Sequence, residues 1–231
     1  MPSDRQTILL TGFGPFPSIA ANATSVLVPR IAAAAADAFA GVAIVHDILP
    51  TEWTVGLARV GELYRLHRPA LALHFGVSGR ARGFEIETRG RNYCSLSKDA
   101  AGKFPLLRRL SPEGPEFLPV TLPAAHIAQR LRRRGIPATV SRDAGGYLCN
   151  ALLYRTAELA RGQPTPVRSG FIHLPSDLVN ERNPARGPQP GCRLTWSEVV
   201  DGSLEIIAAS LGRPSAPSDV RRMLPRRLLP A

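Results

Sequence analysis

Short apolar segments alternate with longer amphipathic ones along the first third of the chain. The apolar runs have the length of buried strands, and the segments between them carry apolar residues at helical spacing. The pattern predicts strands over 7–10, 41–49 and 70–75 and helices over 24–39 and 52–67. Thr24 or Ser25 is the predicted N-cap of the first helix. This strand–helix–strand–helix–strand order predicts an α/β fold with a largely parallel sheet.

The pattern is less regular in the middle of the chain. Residues 83–92 alternate apolar and polar side chains, which predicts an edge or antiparallel strand. Residues 92–119 are rich in turn formers and predict a long, partly mobile excursion. Beyond it the pattern predicts helices over 124–134, 148–161 and 195–211 and strands over 138–141 and 169–174. Thr195 and Glu198 have the spacing of a capping box at the start of the last helix.

The domain organisation follows from the absence of any linker within residues 1–212, where we expect a single α/β domain. A loop rich in proline is predicted over 175–190. Residues 213–231 contain four prolines and five arginines, which predicts a basic tail that is disordered or loosely docked. No apolar run is long enough for a transmembrane helix, and the N-terminus lacks the pattern of a signal peptide. The expected location is therefore the cytoplasm.

The formal net charge is +11, from 29 Lys and Arg against 18 Asp and Glu in 231 residues. An RNA substrate would suit that charge. However, the arginine clusters at 130–134 and in the tail contain no aromatic residue, so they indicate a solvated basic surface rather than a nucleic-acid site. Three cysteines, an odd number, indicate reduced thiols. The sequence has no CxxC or HExxH motif and predicts no zinc site.

Three chemically active residues follow or end predicted strands on one edge of the sheet. Ligands of open α/β sheets bind beyond the carboxyl ends of the strands, where Cys149, His173 and Glu87 are expected to meet. A thiol, an imidazole and a carboxylate make up a cysteine-nucleophile triad. Cys149 also begins a predicted helix after a glycine-rich turn. The N–H groups of a helix N-terminus lower the pKa of a thiol and stabilise an oxyanion.

The residues alone leave two assignments open. His74 ends an apolar run as His173 does, and competes with it for the role of general base. Glu85 and Glu87 point to the same face of a strand, and either could orient the base or pair with a neighbouring arginine. The other two cysteines, Cys94 and Cys192, lie in predicted loops and are expected to be bystanders.

Four separated segments resemble those of one enzyme family. They are LTGFGPF at 10–16 followed by NAT at 22–24, GVSG at 76–79 followed by Glu87 and Asn92, SRDAGGYLCN at 141–150, and GFIHLP at 170–175. In this order they resemble pyroglutamyl peptidase I, the pyrrolidone-carboxylate peptidase family of cysteine exopeptidases. The segment that ends in Cys149-Asn150 is the most specific of the four.

The resemblance implies a role for each matching side chain. Cys149 would be the nucleophile, His173 the general base, and Glu87 the acid that orients the base. The implied wall of the substrate pocket consists of Phe13, Phe16, Val77, Tyr147 and Leu148, with Asn22 fixing the first loop. Val77 stands where bacterial members often carry glutamine, so its implied contact with the substrate is through the backbone.

The fold implied by the resemblance is a three-layer α/β/α sandwich with a mostly parallel central sheet. The implied protein is a cytosolic homo-oligomer, often a tetramer, that needs no metal or cofactor and cleaves peptides with an N-terminal pyroglutamate. Neither a nucleic acid nor a membrane is an expected partner. Two alternatives stay open: an RNA-directed hydrolase such as a peptidyl-tRNA hydrolase on a similar sandwich, and a non-catalytic binder of pyroglutamyl peptides.

Overall fold

A six-stranded mixed sheet forms the centre of the computed structural model, which describes residues 5–16, 22–176, 178 and 194–215. The described strands are β1 (Thr7–Phe13), β2 (Ala43–Leu49), β3 (Leu71–Ser78), β4 (Phe84–Glu87), β5 (Arg89–Arg91), β6 (Phe117–Pro119), β7 (Ala138–Ser141) and β8 (Arg168–Pro175). The order across the main sheet is β2-β1-β3-β8-β4-β7, and its neighbours are parallel except β4 and β8. β5 and β6 form a separate antiparallel pair.

Helices cover both faces of the main sheet. They are α1 (Thr24–Ala38), α2 (Trp53–His67), α3 (Ala124–Arg133), α4 (Leu148–Arg161) and α5 (Trp196–Ser210). α1, α3 and α5 pack on the face that buries Leu73 and Phe75 of β3, and α2 and α4 pack on the face that buries Ala72. The predicted three-layer α/β/α sandwich with a mostly parallel sheet is confirmed. None of these described helices is long and apolar enough to cross a membrane.

The predicted side-chain cap of α1 is wrong. The N-cap position is Ala23, and no side chain caps the helix. The hydroxyl of Thr24 instead accepts a hydrogen bond from the backbone N–H of Phe13 at 3.0 Å and donates one to Asn22 Oδ1 at 2.9 Å. The Thr24 hydroxyl, which the local pattern predicts as a helix cap, thus forms a tertiary hydrogen bond instead. This bond fixes the end of β1.

The strand predicted over 83–92 is two strands in different sheets. β4 ends at Glu87, and Thr88 then donates from both its backbone N–H and its hydroxyl to the carbonyl of Ser141. β5 starts at Arg89 and pairs with β6 instead of the main sheet. β4 is antiparallel to β8, as expected, but it lies between β8 and β7 rather than at an edge.

Two buried asparagines hold the long excursion that follows β5. Asn92 Oδ1 accepts hydrogen bonds from the backbone N–H groups of Leu110 and Ser111. Asn150, in the first turn of α4, accepts from the N–H of Arg91 and donates to its carbonyl, both at 2.8 Å. Because these bonds satisfy buried polar groups, they give the excursion a defined path against the start of α4.

The two proline-rich predictions are only partly covered by the structure. Of the predicted loop over 175–190 and the predicted tail over 213–231, residues 177, 179–190 and 216–231 lie outside the described residues. The described start of the tail lies against α3, where Arg130 donates to the carbonyl of Arg213. The predicted capping box of Thr195 and Glu198 at the start of α5 is confirmed.

A buried carboxylate joins α5 to α3. Glu205 is fully buried and forms ion pairs with Arg130 and Arg134, with Glu205 Oε2 2.9 Å from Arg134 Nη1. The two arginine side chains are only 12% and 18% exposed. The cluster at 130–134, predicted as a solvated basic surface, therefore turns two of its members inward to an internal ion pair.

We expect Glu205→Gln to lower the free energy of unfolding by about 2–3 kcal/mol, because it leaves two poorly hydrated guanidinium groups without their carboxylate. Chemical denaturation measures the change. The control is Glu158→Gln, which removes a more exposed ion pair with Arg155 and should cost less than about 1 kcal/mol. Equal losses for the two variants would contradict the structural role of Glu205.

Candidate active site

A cavity of about 180 Å³ opens where the carboxyl ends of β1, β3 and β8 meet the start of α4. The residues that line it are Phe13, Phe16, Asn22, Thr51, Val77, Ser78, Arg80, Ala144, Gly145, Gly146, Tyr147, Leu148, Cys149 and His173. All six residues that the family resemblance implied for the pocket line this cavity. It lies where open α/β sheets bind ligands.

Cys149 is the second residue of α4 and is half-buried in the cavity wall. The turn before the helix is held by Asp143 Oδ1, which accepts the N–H of Gly145 at 3.0 Å. Gly145 has a φ of 80°, a left-handed conformation that glycine adopts without strain. No side chain caps α4. The first N–H groups of the helix are thus available to a negatively charged oxygen formed beside the sulfur.

His173 lies between Cys149 and Glu87. Its Nδ1 donates to Glu87 Oε1 at 2.8 Å, and its ring lines the same cavity as the sulfur-bearing side chain of Cys149. Burial of the ring opposes its charging, but the Cys149 thiolate and the Glu87 carboxylate outweigh burial and raise the pKa of His173 to about 10. The imidazole is therefore protonated near neutral pH.

Glu87 is fully buried at the end of β4. Its Oε2 has no hydrogen-bond partner among the described residues, so the imidazolium of His173 is the group that balances its charge. Among the described residues, no ion pair joins Glu85 or Glu87 to an arginine. Glu85 lies on the same face, with its carboxylate within 4.8 Å of the polar atoms of Glu87 and His173.

These three side chains are close enough to share a metal ion. However, Glu87 and His173 are hydrogen-bonded directly to each other at 2.8 Å, which is the arrangement of an ion pair.

The opposite wall of the cavity is aromatic. Phe13 is buried at the end of β1, with its ring 6.4 Å from that of Phe171. Phe16 lies 5.9 Å from Tyr147, which in turn packs edge-on against Trp53 at 5.1 Å. These aromatic side chains offer apolar contact to a small ring.

Asn22 fixes the chain between the two phenylalanines. Its Nδ2 donates to the carbonyl of Gly14 at 3.1 Å, and its Oδ1 accepts the backbone N–H of Thr24 at 3.2 Å. The hydroxyl of Thr51 donates to the same carbonyl at 2.9 Å. The side chain of Asn22 thus positions the wall through the backbone.

Comparison with known proteins shows which family shares the sequence and fold of this chain. Residues 6–188 match the family model described as pyroglutamyl peptidase. A pyrrolidone-carboxylate peptidase of Gloeobacter violaceus is 33% identical over 169 residues, which are 73% of this chain and 80% of the relative. One of Cupriavidus necator is 31% identical over 94% of this chain and 96% of the relative. The crystal structure of pyroglutamyl peptidase I from Bacillus amyloliquefaciens has a TM-score of 0.75 at 28% identity, over 89% of this chain and 96% of that one.

The chain belongs to the pyroglutamyl peptidase family. The matched residues include every element that lines the cavity, from β1 to β8. Members of this family are cysteine peptidases, so this chain is a cysteine peptidase. The two alternatives, an RNA-directed hydrolase and a non-catalytic binder, are not favoured.

In this member of the family, His74 is not part of the cavity. It is a fully buried residue of β3, where Nδ1 lies 2.7 Å from Thr11 Oγ1 and Nε2 lies 3.2 Å from the hydroxyl of Tyr64. Burial lowers the pKa of His74 to about 3, so the ring is neutral. Both ring nitrogens are engaged by hydroxyl groups, which indicates a structural histidine.

Cys94 is also separate from the cavity. Its side chain is 2% exposed, and burial raises the pKa of its thiol to about 11. A buried, protonated thiol is a poor nucleophile. Cys192 lies outside the described residues.

Asp99 is a positioning residue that the sequence analysis missed. It is 2% exposed, its Oδ2 accepts the N–H of Trp53 at the start of α2, and its Oδ1 accepts the N–H of Lys103 at 2.8 Å. These bonds bring the excursion to the cavity, where the hydroxyl of Tyr147 donates to the carbonyl of Lys98. An aspartate followed by a glycine three residues later is a turn signal that could have marked it.

Position 76 leaves no room for a side chain, because Phe171 and Cys149 occupy the space beside it. A Cβ at this position would lie 2.7 Å from the ring of Phe171 and 3.1 Å from the sulfur of Cys149. We expect Gly76→Ala to displace the sulfur and lower kcat/KM by about 10²-fold, the effect of a displacement of roughly 1 Å. Steady-state kinetics measure it. Gly61→Ala in α2, where a Cβ meets nothing within 4 Å, is the control, and equal activity of the two variants would contradict this account.

Proposed function

We propose that the chain removes an N-terminal pyroglutamate (5-oxoproline) from peptides, with Cys149 as nucleophile, His173 as general base and Glu87 as the acid that orients His173. The observation that carries the proposal is the position of His173, which is hydrogen-bonded to the buried carboxylate of Glu87 and lines the same small aromatic cavity as Cys149. A charged imidazole held in one orientation is what a thiolate nucleophile requires.

The proposed reaction follows the usual steps of acyl transfer to a thiol. The Cys149 thiolate attacks the carbonyl between pyroglutamate and the next residue, and the N–H groups at the start of α4 stabilise the oxyanion. His173 gives its proton to the leaving amine, which breaks the C–N bond and leaves a thioester. Water, deprotonated by His173, then attacks the thioester, releasing pyroglutamate and regenerating the thiolate–imidazolium pair.

Selection of pyroglutamate rests on the shape and polarity of the cavity. Phe13, Phe16 and Leu148 offer apolar contact to the ring methylenes, and the backbone near Val77 offers partners for the lactam N–H and C=O. A ring that lacks the lactam carbonyl leaves the buried backbone donors without their acceptor, at a cost of about 1–3 kcal/mol each. Proline lacks this carbonyl and carries a charged amine, so the cavity is expected to reject it.

Hydrolysis of a fluorogenic pyroglutamyl amide beside the matching prolyl amide tests the function. We expect kcat/KM for the pyroglutamyl substrate to exceed that for the prolyl substrate by at least about 10²-fold. Comparable rates would contradict the proposed specificity. Absence of any hydrolysis would favour the non-catalytic binder, and activity that falls steeply with salt on a peptidyl-tRNA would favour the RNA-directed alternative.

We also propose that the enzyme is a homo-oligomer. Phe104, Leu106 and Leu107 on the excursion are 53%, 88% and 62% exposed, and exposed apolar side chains of this size are typical of subunit contacts. Analytical ultracentrifugation measures the mass, and a monomer at micromolar concentration would contradict the proposal. A cytoplasmic location is proposed because the nucleophile must stay a reduced thiol.

A further inference from the structure

Arg80 brings a positive charge to the entrance of the cavity. β3 ends at Ser78, and Arg80 follows in a short turn in which its backbone N–H donates to Ser78 Oγ at 3.2 Å. The side chain of Arg82 donates a hydrogen bond to the carbonyl of Gly79 at 2.9 Å, which links the two ends of the same turn. The turn therefore fixes the backbone of Arg80 beside the cavity, which Arg80 lines while its side chain stays 72% exposed.

This charge is not neutralised by a strong internal partner. Arg80 Nη1 lies 3.7 Å from Asp143 Oδ2, and both side chains are 72% exposed. An ion pair with that exposure and spacing contributes little. Arg80 is the only arginine, lysine, aspartate or glutamate among the described residues that line the cavity.

The pyroglutamyl residue of the substrate, which enters the cavity, carries no charge that could pair with Arg80. A pyroglutamyl residue is neutral, because its amine is closed into the lactam and its carboxyl forms the scissile bond. The part of the substrate that remains at the entrance is the leaving peptide. In that peptide a carboxylate lies close to the scissile bond when the next residue is acidic or is the last residue of the chain.

We propose that Arg80 binds a carboxylate of the leaving peptide, so that the enzyme prefers pyroglutamyl substrates that carry a carboxylate on the residue after the scissile bond. This proposal rests on the proposed function of the same site. The carboxylate comes either from an Asp or Glu side chain or from the free C-terminus of a dipeptide. Both offer the two oxygens that a guanidinium group binds with paired hydrogen bonds.

Two pairs of substrates measure the preference and separate its two sources. Pyroglutamyl-aspartate amide against pyroglutamyl-asparagine amide tests the side-chain carboxylate, and pyroglutamyl-alanine against its amide tests the terminal carboxylate. Because Arg80 is exposed, we expect a kcat/KM ratio of about 3–10 in favour of the charged member of at least one pair, falling towards 1 at about 0.5 M salt.

Variants at Arg80 decide whether that side chain is responsible. Arg80→Gln should bring the ratio close to 1, and Arg80→Lys should retain part of it because the charge remains. Arg133→Gln removes one exposed positive charge at the end of α3, outside the cavity lining, so the ratio should stay at the wild-type value. An unchanged ratio in Arg80→Gln, or a ratio near 1 in the wild type, would overturn the proposal.

Asp143 supplies a variant with the opposite effect. Asp143→Asn retains the Oδ1 acceptor for the N–H of Gly145, and it removes the carboxylate that competes for Arg80. The ratio should rise by about twofold, and a fall would contradict the proposal. Failure of the wild type to cleave all four substrates would overturn the proposed function itself, whereas cleavage without a charge preference would overturn only the role of Arg80.

Discussion

Replacing Cys149 with alanine should lower kcat for a pyroglutamyl amide by about 10⁴-fold or more, since loss of a nucleophile removes the covalent route altogether. Alanine at the second position of α4 is compatible with the helix, and Cys149 is only half-buried, so the fold should be retained. Circular dichroism and the thermal midpoint check the fold, and single-turnover kinetics measure the residual rate.

The matched control is Cys94→Ala. Its thiol is buried and protonated near neutral pH, so its removal should change stability more than kcat. Iodoacetamide should label Cys149 first and inactivate the enzyme in proportion to labelling, as followed by peptide mass analysis. Cys192→Ala completes the set. Wild-type activity of Cys149→Ala, or inactivation that follows labelling of Cys94, would contradict the assignment.

The position of Cys149, the proposed nucleophile, could be predicted because its signals are local. A glycine-rich turn followed by an apolar helical pattern places Cys149 at a helix N-terminus, and α4 begins one residue before it. The alternation of apolar strands and amphipathic helices is also a local signal, and it predicted the α/β fold with a largely parallel sheet. Each such signal lies within a few residues of the element that it specifies.

The choice between the two histidines depends on strand register, which the sequence does not specify. His74 and His173 end similar apolar runs in neighbouring parallel strands and point to the same face. In the register observed, His173 lies opposite Gly76, two residues nearer the carboxyl end than His74. His173 therefore lines the cavity beside the start of α4. His74 is instead buried in β3, between the hydroxyl groups of Thr11 and Tyr64.

The wrong predictions have a related cause. Thr24 has a good capping side chain, but the end of β1 uses its hydroxyl instead. The alternating pattern over 83–92 contains no signal that the chain changes sheets at Thr88, because that change depends on the carbonyl of Ser141 far along the chain. Local propensity gives way where a distant partner offers a buried hydrogen bond.

Glu87, the carboxylate proposed to orient His173, should be the second large determinant of the rate. Glu87→Gln keeps the size of the side chain but replaces the negative charge beside the imidazolium, and we expect kcat to fall by about 10²–10⁴-fold. Glu85→Gln alters a carboxylate that is close by but has no hydrogen bond to His173 among the described residues. Its effect should be less than about tenfold. Steady-state kinetics of the two variants compare the carboxylates directly.

The pH profile distinguishes an electrostatic role of Glu87 from a structural one. The pKa of His173 is raised, so its proton is kept until the pH rises through about 10, and wild-type activity should decline on that alkaline side. Glu87 contributes to the elevation, so Glu87→Gln should move the decline to lower pH, while Glu85→Gln should leave it nearer the wild-type position. A Glu87→Gln enzyme with a reduced kcat but an unmoved alkaline limb would show that the carboxylate does not hold the proton on His173, and a larger loss in Glu85→Gln would transfer the orienting role to that residue.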